Sequence, residues 1–168
     1  WGERMDENRR NLHKPYQEER IQPMNAMQGL WHYVFGGGKP VSIPFEQVYT
    51  SQMGNIEKFP ITRNILSKGK EGVYIINDKR AFLTEGINNR AFLGQITLQL
   101  KGMLTISNKN YSFEGYISAK KDIYDFDLQK NRGLIAEIST VLGRFIPGKP
   151  YEVMIVGEKK VIQGGCCK

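Results

Sequence analysis

Between residues 122 and 132 the chain gathers five side chains able to handle a phosphate: Asp122, Tyr124, Asp125, Asn131 and Arg132. The two hard carboxylates, Asp122 and Asp125, suit Mg²⁺ or a similar ion, which takes few protein ligands and completes its shell with water and phosphate oxygens. Such an ion polarises a phosphoryl group and offsets charge on the leaving oxygen. Arg132 can grip a phosphate with paired N–H donors, and Tyr124 can donate its hydroxyl to a phosphate oxygen. If a helix starts here, its free backbone N–H groups add to that grip. The same residues also fit an ordinary junction, with Asp122, Asp125 and Asp127 in turn and cap positions, Tyr124 in the core and Arg132 in a surface ion pair. Spacing alone leaves both readings standing.

Other chemistries find less support. A hydrolytic triad needs a histidine base oriented by a carboxylate, and the only histidines, His13 and His32, fall in the least patterned quarter of the chain, with no Gly-x-Ser-x-Gly elbow to accompany them. His32, beside Trp31, is read as structural. The run Gly36-Gly37-Gly38-Lys39-Pro40 lacks the Walker spacing and its Ser or Thr after lysine, so a turn is expected there. Cys166 and Cys167 are adjacent and build neither a disulfide framework nor a C-x-x-C zinc site.

Several elements must position the 122–132 cluster. Val73-Tyr-Ile-Ile reads as a strand, with a turn expected at Asn77-Asp78 before Arg80-Ala-Phe-Leu. Ile96, Leu98, Leu100, Leu104 and Ile106 alternate with Thr97, Gln99, Lys101 and Thr105, the period of a half-buried strand, in which Gly102 is expected to mark a bend. Ser107-Asn-Lys-Asn110 supplies turn residues, and Tyr111, Phe113 and Ile117 alternate on the return, so a long antiparallel hairpin runs into Asp122. Beyond it Leu134, Ile135, Ile138, Val141 and Leu142 follow helical spacing, which predicts a helix from near 127–132 to about 143–147, capped by Asp127. Residues 152–156 and 160–162 read as a closing hairpin about Gly157-Glu158. Residues 41–49 read as an edge strand or extended loop because Pro44 cannot donate to a ladder, and 28–35 as either a strand or a helix. The fold class predicted is α+β: a mostly antiparallel, curved sheet, open like a half-barrel, with a few helices.

With 168 residues and 40% hydrophobic content, one globular domain is expected. Residues 1–28, rich in charge and carrying Pro15 and Pro23, read as a linker or loosely docked arm, 29–163 as the working domain and 164–168 as a flexible tail. No apolar run reaches the roughly eighteen residues of a membrane-spanning helix, and no signal-peptide segment opens the chain. Its start at Trp1 suggests a piece of a longer polypeptide. The net charge of +7 favours polyanionic partners: nucleic acid, anionic lipid or phosphorylated substrates.

The pattern Asp122-x-Tyr124-Asp125, five intervening residues, then Asn131-Arg132 resembles the signature of the colicin M bacteriocins and their pyocin and pectocin relatives. The stretch Trp31-His-Tyr-Val-Phe-Gly-Gly-Gly-Lys-Pro is similar to the start of that family's toxic domain. The resemblance implies a phosphodiesterase that cleaves lipid II between undecaprenyl and pyrophosphate and so blocks peptidoglycan synthesis. It further implies a divalent metal, Mg²⁺ first and Ca²⁺ or Mn²⁺ as alternatives, held by Asp122 and Asp125. An immunity protein in the producer, an import receptor reached through a carrier region, secretion, and action as a monomer in the target's periplasm at the inner membrane are implied as well. Asp122, Tyr124, Asp125 and Arg132 match the family's functional positions. Asn131 stands where colicin M carries histidine; an amide is no general base, so proton transfer falls first to Asp125, with Asn131 orienting water or substrate.

Trp31, Tyr33 and Phe35 could rest at a membrane interface, although core packing is the commoner use of aromatics. Two other functions remain open: a basic domain that cuts or binds nucleic acid, and a non-catalytic binding module. The lysines are scattered and no RNA-binding aromatic signature appears, so no nucleic-acid partner is expected.

Overall fold

The computed structural model describes residues 20–125 and 147–167. Asn131, Arg132, Asp127 and the helix predicted beyond 127 lie outside the described residues, as does His13. Among the described residues, three α-helices and seven strands follow in order: α1 (Ala26–Phe35), β1 (Val41–Pro44), α2 (Pro60–Lys68), β2 (Gly72–Leu83), α3 (Ile87–Phe92), β3 (Gln95–Ser107), β4 (Asn110–Ala119), β5 (Asp122–Tyr124), β6 (Tyr151–Val156) and β7 (Lys159–Cys166). Short 3-10 turns fill the interval between β1 and α2.

The strands form two open sheets, ordered β1-β6-β5 and β2-β3-β4-β7. All pairings are antiparallel except β1 with β6. The α+β class holds, mostly antiparallel and not closed into a barrel as expected, with the strands divided between two sheets.

Alternation builds the core of the larger sheet. Ile96, Leu98, Leu100, Leu104 and Ile106 of β3 all point inward, met by Phe113 and Ile117 of β4, and these join Ile43, Val153 and Ile155 of the smaller sheet in one apolar cluster. The β3–β4 hairpin turns on Asn108 and Lys109, both at positive φ (51° and 63°), the two-residue turn whose twist matches the strands it joins. Gly102 proves to be a close-packing position. It pairs with Gly115 across the ladder, and a Cβ on it would lie 2.4 Å from the Glu114 carbonyl oxygen and 2.7 Å from Phe113 Cζ.

Several expectations give way. Asn77-Asp78 is no turn, for β2 runs unbroken from Gly72 to Leu83. Asp78 is buried, and its Oδ2 accepts from the Thr62 backbone N–H at 2.9 Å and the Thr62 hydroxyl at 3.2 Å. It thus caps the first turn of α2 from a neighbouring strand, where a free N–H and the helix dipole both favour a carboxylate.

The closing hairpin is also absent. Gly157, at φ 113°, turns the chain from one sheet to the other, so β6 pairs with β1 and β5 while β7 pairs with β4. Residues 164–166, expected in a flexible tail, complete β7 opposite Tyr111 and its neighbours, with a further bond from Cys167 N–H to the Lys109 carbonyl at 2.7 Å. Within the stretch read as a linker or loosely docked arm, Ile21 bridges to Ser42 and α1 begins at Ala26.

Candidate active site

Residues 28–35, which fit a strand or a helix equally, are helical because Asn25 starts a helix here. Its side chain accepts from Gln28 N–H at 2.8 Å while Gln28 Oε1 accepts from Asn25 N–H at 2.9 Å, a reciprocal cap. At the other end Gly37 and Gly38 take positive φ, so the glycine run is the turn its composition predicts. The helix buries Ala26, Gly29 and Tyr33 on one face. Tyr33 faces β5, and Trp31 and Phe35 do not: they are 68% and 66% exposed.

Strand β5 carries Asp122 and Tyr124 on one side and exposed Ile123 on the other. Tyr124 is 5% exposed and sits among three aromatic rings. It stacks on Tyr151 at 4.9 Å between centroids and 16° between planes, with Phe92 at 5.6 Å and Tyr33 at 5.8 Å. The Tyr151 hydroxyl donates to the Gly29 carbonyl at 2.7 Å, joining β6 to α1 through the middle of the group. Gly29 is needed here, since a Cβ would fall 2.4 Å from the Phe92 ring. His32 packs edge-on against Tyr151 at 4.5 Å, and its Nε2 bonds to the Lys39 carbonyl at 2.7 Å, a structural role as expected.

Burial, and secondarily the charge of Tyr33, pushes the Tyr124 phenol up to about 12. Burial raises Tyr151 further still. Both phenols are therefore neutral hydrogen-bond donors at ordinary pH. Tyr33 is raised by burial first and by the carboxylate of Asp125 second, which places Asp125 within electrostatic reach of that phenol. Asp125 itself is exposed, immediately after the buried Tyr124. Asp122 is half-buried, and its Oδ1 accepts from the Ile123 N–H at 2.8 Å.

The structure thus sets Asp122 at the start of β5, Tyr124 at its end and Asp125 directly after it, with Tyr124 supported by rings from α1, α3 and β6. Tyr124 is in the core, as in an ordinary junction, as well as a member of the motif. Among the described residues no group of three or more His, Cys, Asp or Glu side chains could hold a metal ion. The carboxylates of this segment are Asp122 and Asp125, and an ion that keeps much of its shell for water and phosphate oxygens needs few protein ligands.

Sequence reasoning missed Tyr151, Phe92 and the supporting part of Tyr33. The alternation Tyr151, Val153, Ile155 signals the first, one residue ahead of the strand start read from the sequence. Nothing in the six residues of α3 distinguishes Phe92.

Among the described residues no helix is long and apolar enough to cross a membrane. The family model described as Colicin M matches residues 6–166. Colicin-M of Escherichia coli is 32% identical over 141 residues, covering 81% of this chain and 51% of its own length. PaeM, a colicin M-like bacteriocin of Pseudomonas aeruginosa, superposes with a TM-score of 0.72 at 28% identity, covering 84% of this chain and 51% of its own. Pectocin M2 superposes with the same TM-score at 27% identity, over 88% of this chain and 56% of its own. The chain spans about half the length of these relatives.

Proposed function

The chain belongs to the colicin M family, and from that membership we propose that it is the toxic domain of a bacteriocin, a metal-dependent phosphodiesterase that hydrolyses lipid II between undecaprenyl and pyrophosphate. The observation that carries this reading is the placement of Asp125. It emerges exposed from β5 directly after a Tyr124 fixed by three rings, so an accessible carboxylate is presented on a rigid base.

Asp122 and Asp125 would hold Mg²⁺, or Ca²⁺ or Mn²⁺ in its place. When bound, that ion supplies Lewis-acid polarisation of the phosphoryl group. Asp125 is the first choice to accept the proton of the attacking water, since Asn131 has no basic nitrogen. The water oxygen bonds to phosphorus, the bond from phosphorus to the lipid oxygen breaks, and that oxygen takes up a proton. Undecaprenol and a pyrophosphate-linked sugar-peptide result. The Tyr124 hydroxyl, protonated to about pH 12, donates to a phosphate oxygen, Arg132 pairs with another, and Asn131 orients the water or substrate.

In this reading the domain reaches the target's periplasm through a receptor recognised by a carrier region, acts at the inner membrane, and is held in check in the producer by an immunity protein. Labelled lipid II and RNA, each incubated with the domain and Mg²⁺, test it. Release of undecaprenol that stops on chelation supports the proposal. RNA cleavage would establish a nuclease instead, and inertness toward both would leave a binding module.

A further inference from the structure

Helix α1 is apolar around most of its circumference, with only Gln28 and His32 interrupting aliphatic, aromatic and glycine residues. A helix of that kind normally buries every face. This one buries the Tyr33 side and leaves the opposite side open. Met27, Trp31 and Phe35 follow one another at intervals of four, 56%, 68% and 66% exposed, and the Trp31 and Phe35 rings meet at 4.5 Å. Positions four apart fall almost in line on a helix, so the three form one continuous ridge. Single exposed apolar residues are common on any surface, whereas a joined ridge of this kind marks a contact surface.

Charge selects the partner. Two lysines flank the end of α1: Lys39, whose carbonyl is held by His32 at 2.7 Å, and Lys149, whose N–H donates to the Tyr33 carbonyl at 2.9 Å. They belong to one corner, for a Cβ on Gly38 would sit 3.6 Å from Lys149 Cβ. Among the described residues neither lysine forms an ion pair. No acidic residue occurs between Glu19 and Glu46. An aromatic ridge with cations beside it and no carboxylate on the same stretch has the chemistry of an anionic bilayer interface, where rings sit at the headgroup boundary and lysines meet lipid phosphates. A second copy of the chain would instead bring like-charged lysine corners together.

We propose that the Met27, Trp31 and Phe35 ridge, with Lys39 and Lys149, docks this domain on anionic phospholipid. The inference deepens the lipid II reading and rests on it for its purpose, since a substrate anchored in a bilayer is best met by an enzyme held at that surface.

Vesicles of phosphatidylglycerol and phosphatidylcholine without lipid II test docking apart from hydrolysis. In a Trp1→Phe background Trp31 is the sole indole. Its emission should shift to the blue on adding these vesicles, with little change for phosphatidylcholine alone. Trp31→Ala with Phe35→Ala should weaken cosedimentation about tenfold or more, and Lys39→Gln or Lys149→Gln about fivefold each. All are surface changes, and turnover of lipid II in detergent micelles should stay at the parent level. Unmoved Trp31 emission, or parent-like vesicle binding by the aromatic double variant, would overturn the proposal. So would emission already blue in buffer together with a dimer in sedimentation, which would assign the ridge to a second copy. Vesicle binding by a parent that fails to cleave lipid II would leave docking supported and sink the hydrolase reading alone.

Discussion

Tyr124 lies flat on Tyr151 because the two are direct partners across β5 and β6. A strand of three residues gains little from its own ladder, so this stack and the rings of Phe92 and Tyr33 are what hold the motif in place. Tyr124→Ala should therefore cost about 3–5 kcal/mol of stability. Tyr124→Phe keeps the ring and should cost less than about 1 kcal/mol, yet lower kcat/KM on lipid II about tenfold or more by removing a donor to phosphate. Denaturant midpoints and turnover measured on both variants separate the two roles. Full activity in a folded Tyr124→Phe would confine the residue to packing.

The approach of Asp125 to Tyr33 gives a second readout. Asp125→Asn should reduce lipid II turnover about a hundredfold or more if the carboxylate accepts the proton. Because it also removes a negative charge near the Tyr33 phenol, it should lower that phenol's pKa while leaving it above the ordinary value, since burial is the larger cause. Ultraviolet titration of the tyrosinate band follows the second effect independently of activity. An unchanged titration in the variant would separate the two groups.

Asp78 tests the remote cap. Asp78→Ala leaves the Thr62 N–H without its acceptor in a buried place and should destabilise the domain by about 2–3 kcal/mol, while Asp78→Asn keeps an acceptor oxygen and should cost roughly half as much. Urea unfolding measures both. Equal losses would mean that charge, not the acceptor, matters at the helix start.

Asp78 also shows where reading the sequence stops. Local composition at Asn77-Asp78 says turn, and only the distant Thr62 makes a buried aspartate worthwhile within a strand. The β3–β4 hairpin was legible because period-two alternation and a turn at Asn108-Lys109 are local signals. The split of β6 and β7 between sheets was not, because pairing partners β1 and β5 lie far along the chain. At the site the residue pattern named Asp122, Tyr124 and Asp125, but the rings beneath them come from three further elements. Phe92 enters through tertiary packing that no spacing announces.

The buried phenols set an alkaline limit. Tyr124 ionises at about 12 in the folded chain and near 10 once unfolded. The folded state therefore holds its proton more tightly, and between those values the unfolded chain binds fewer protons, so stability falls as pH rises. The contribution is complete below about pH 10 and is lost as pH climbs through about 12. Tyr151, raised further by burial, acts in the same direction. Tyr124→Phe should consequently move the alkaline unfolding midpoint upward, although it adds no contact to the native state. Circular dichroism followed against pH checks this. A Tyr124→Phe midpoint at or below that of the parent would mean that another group governs the transition.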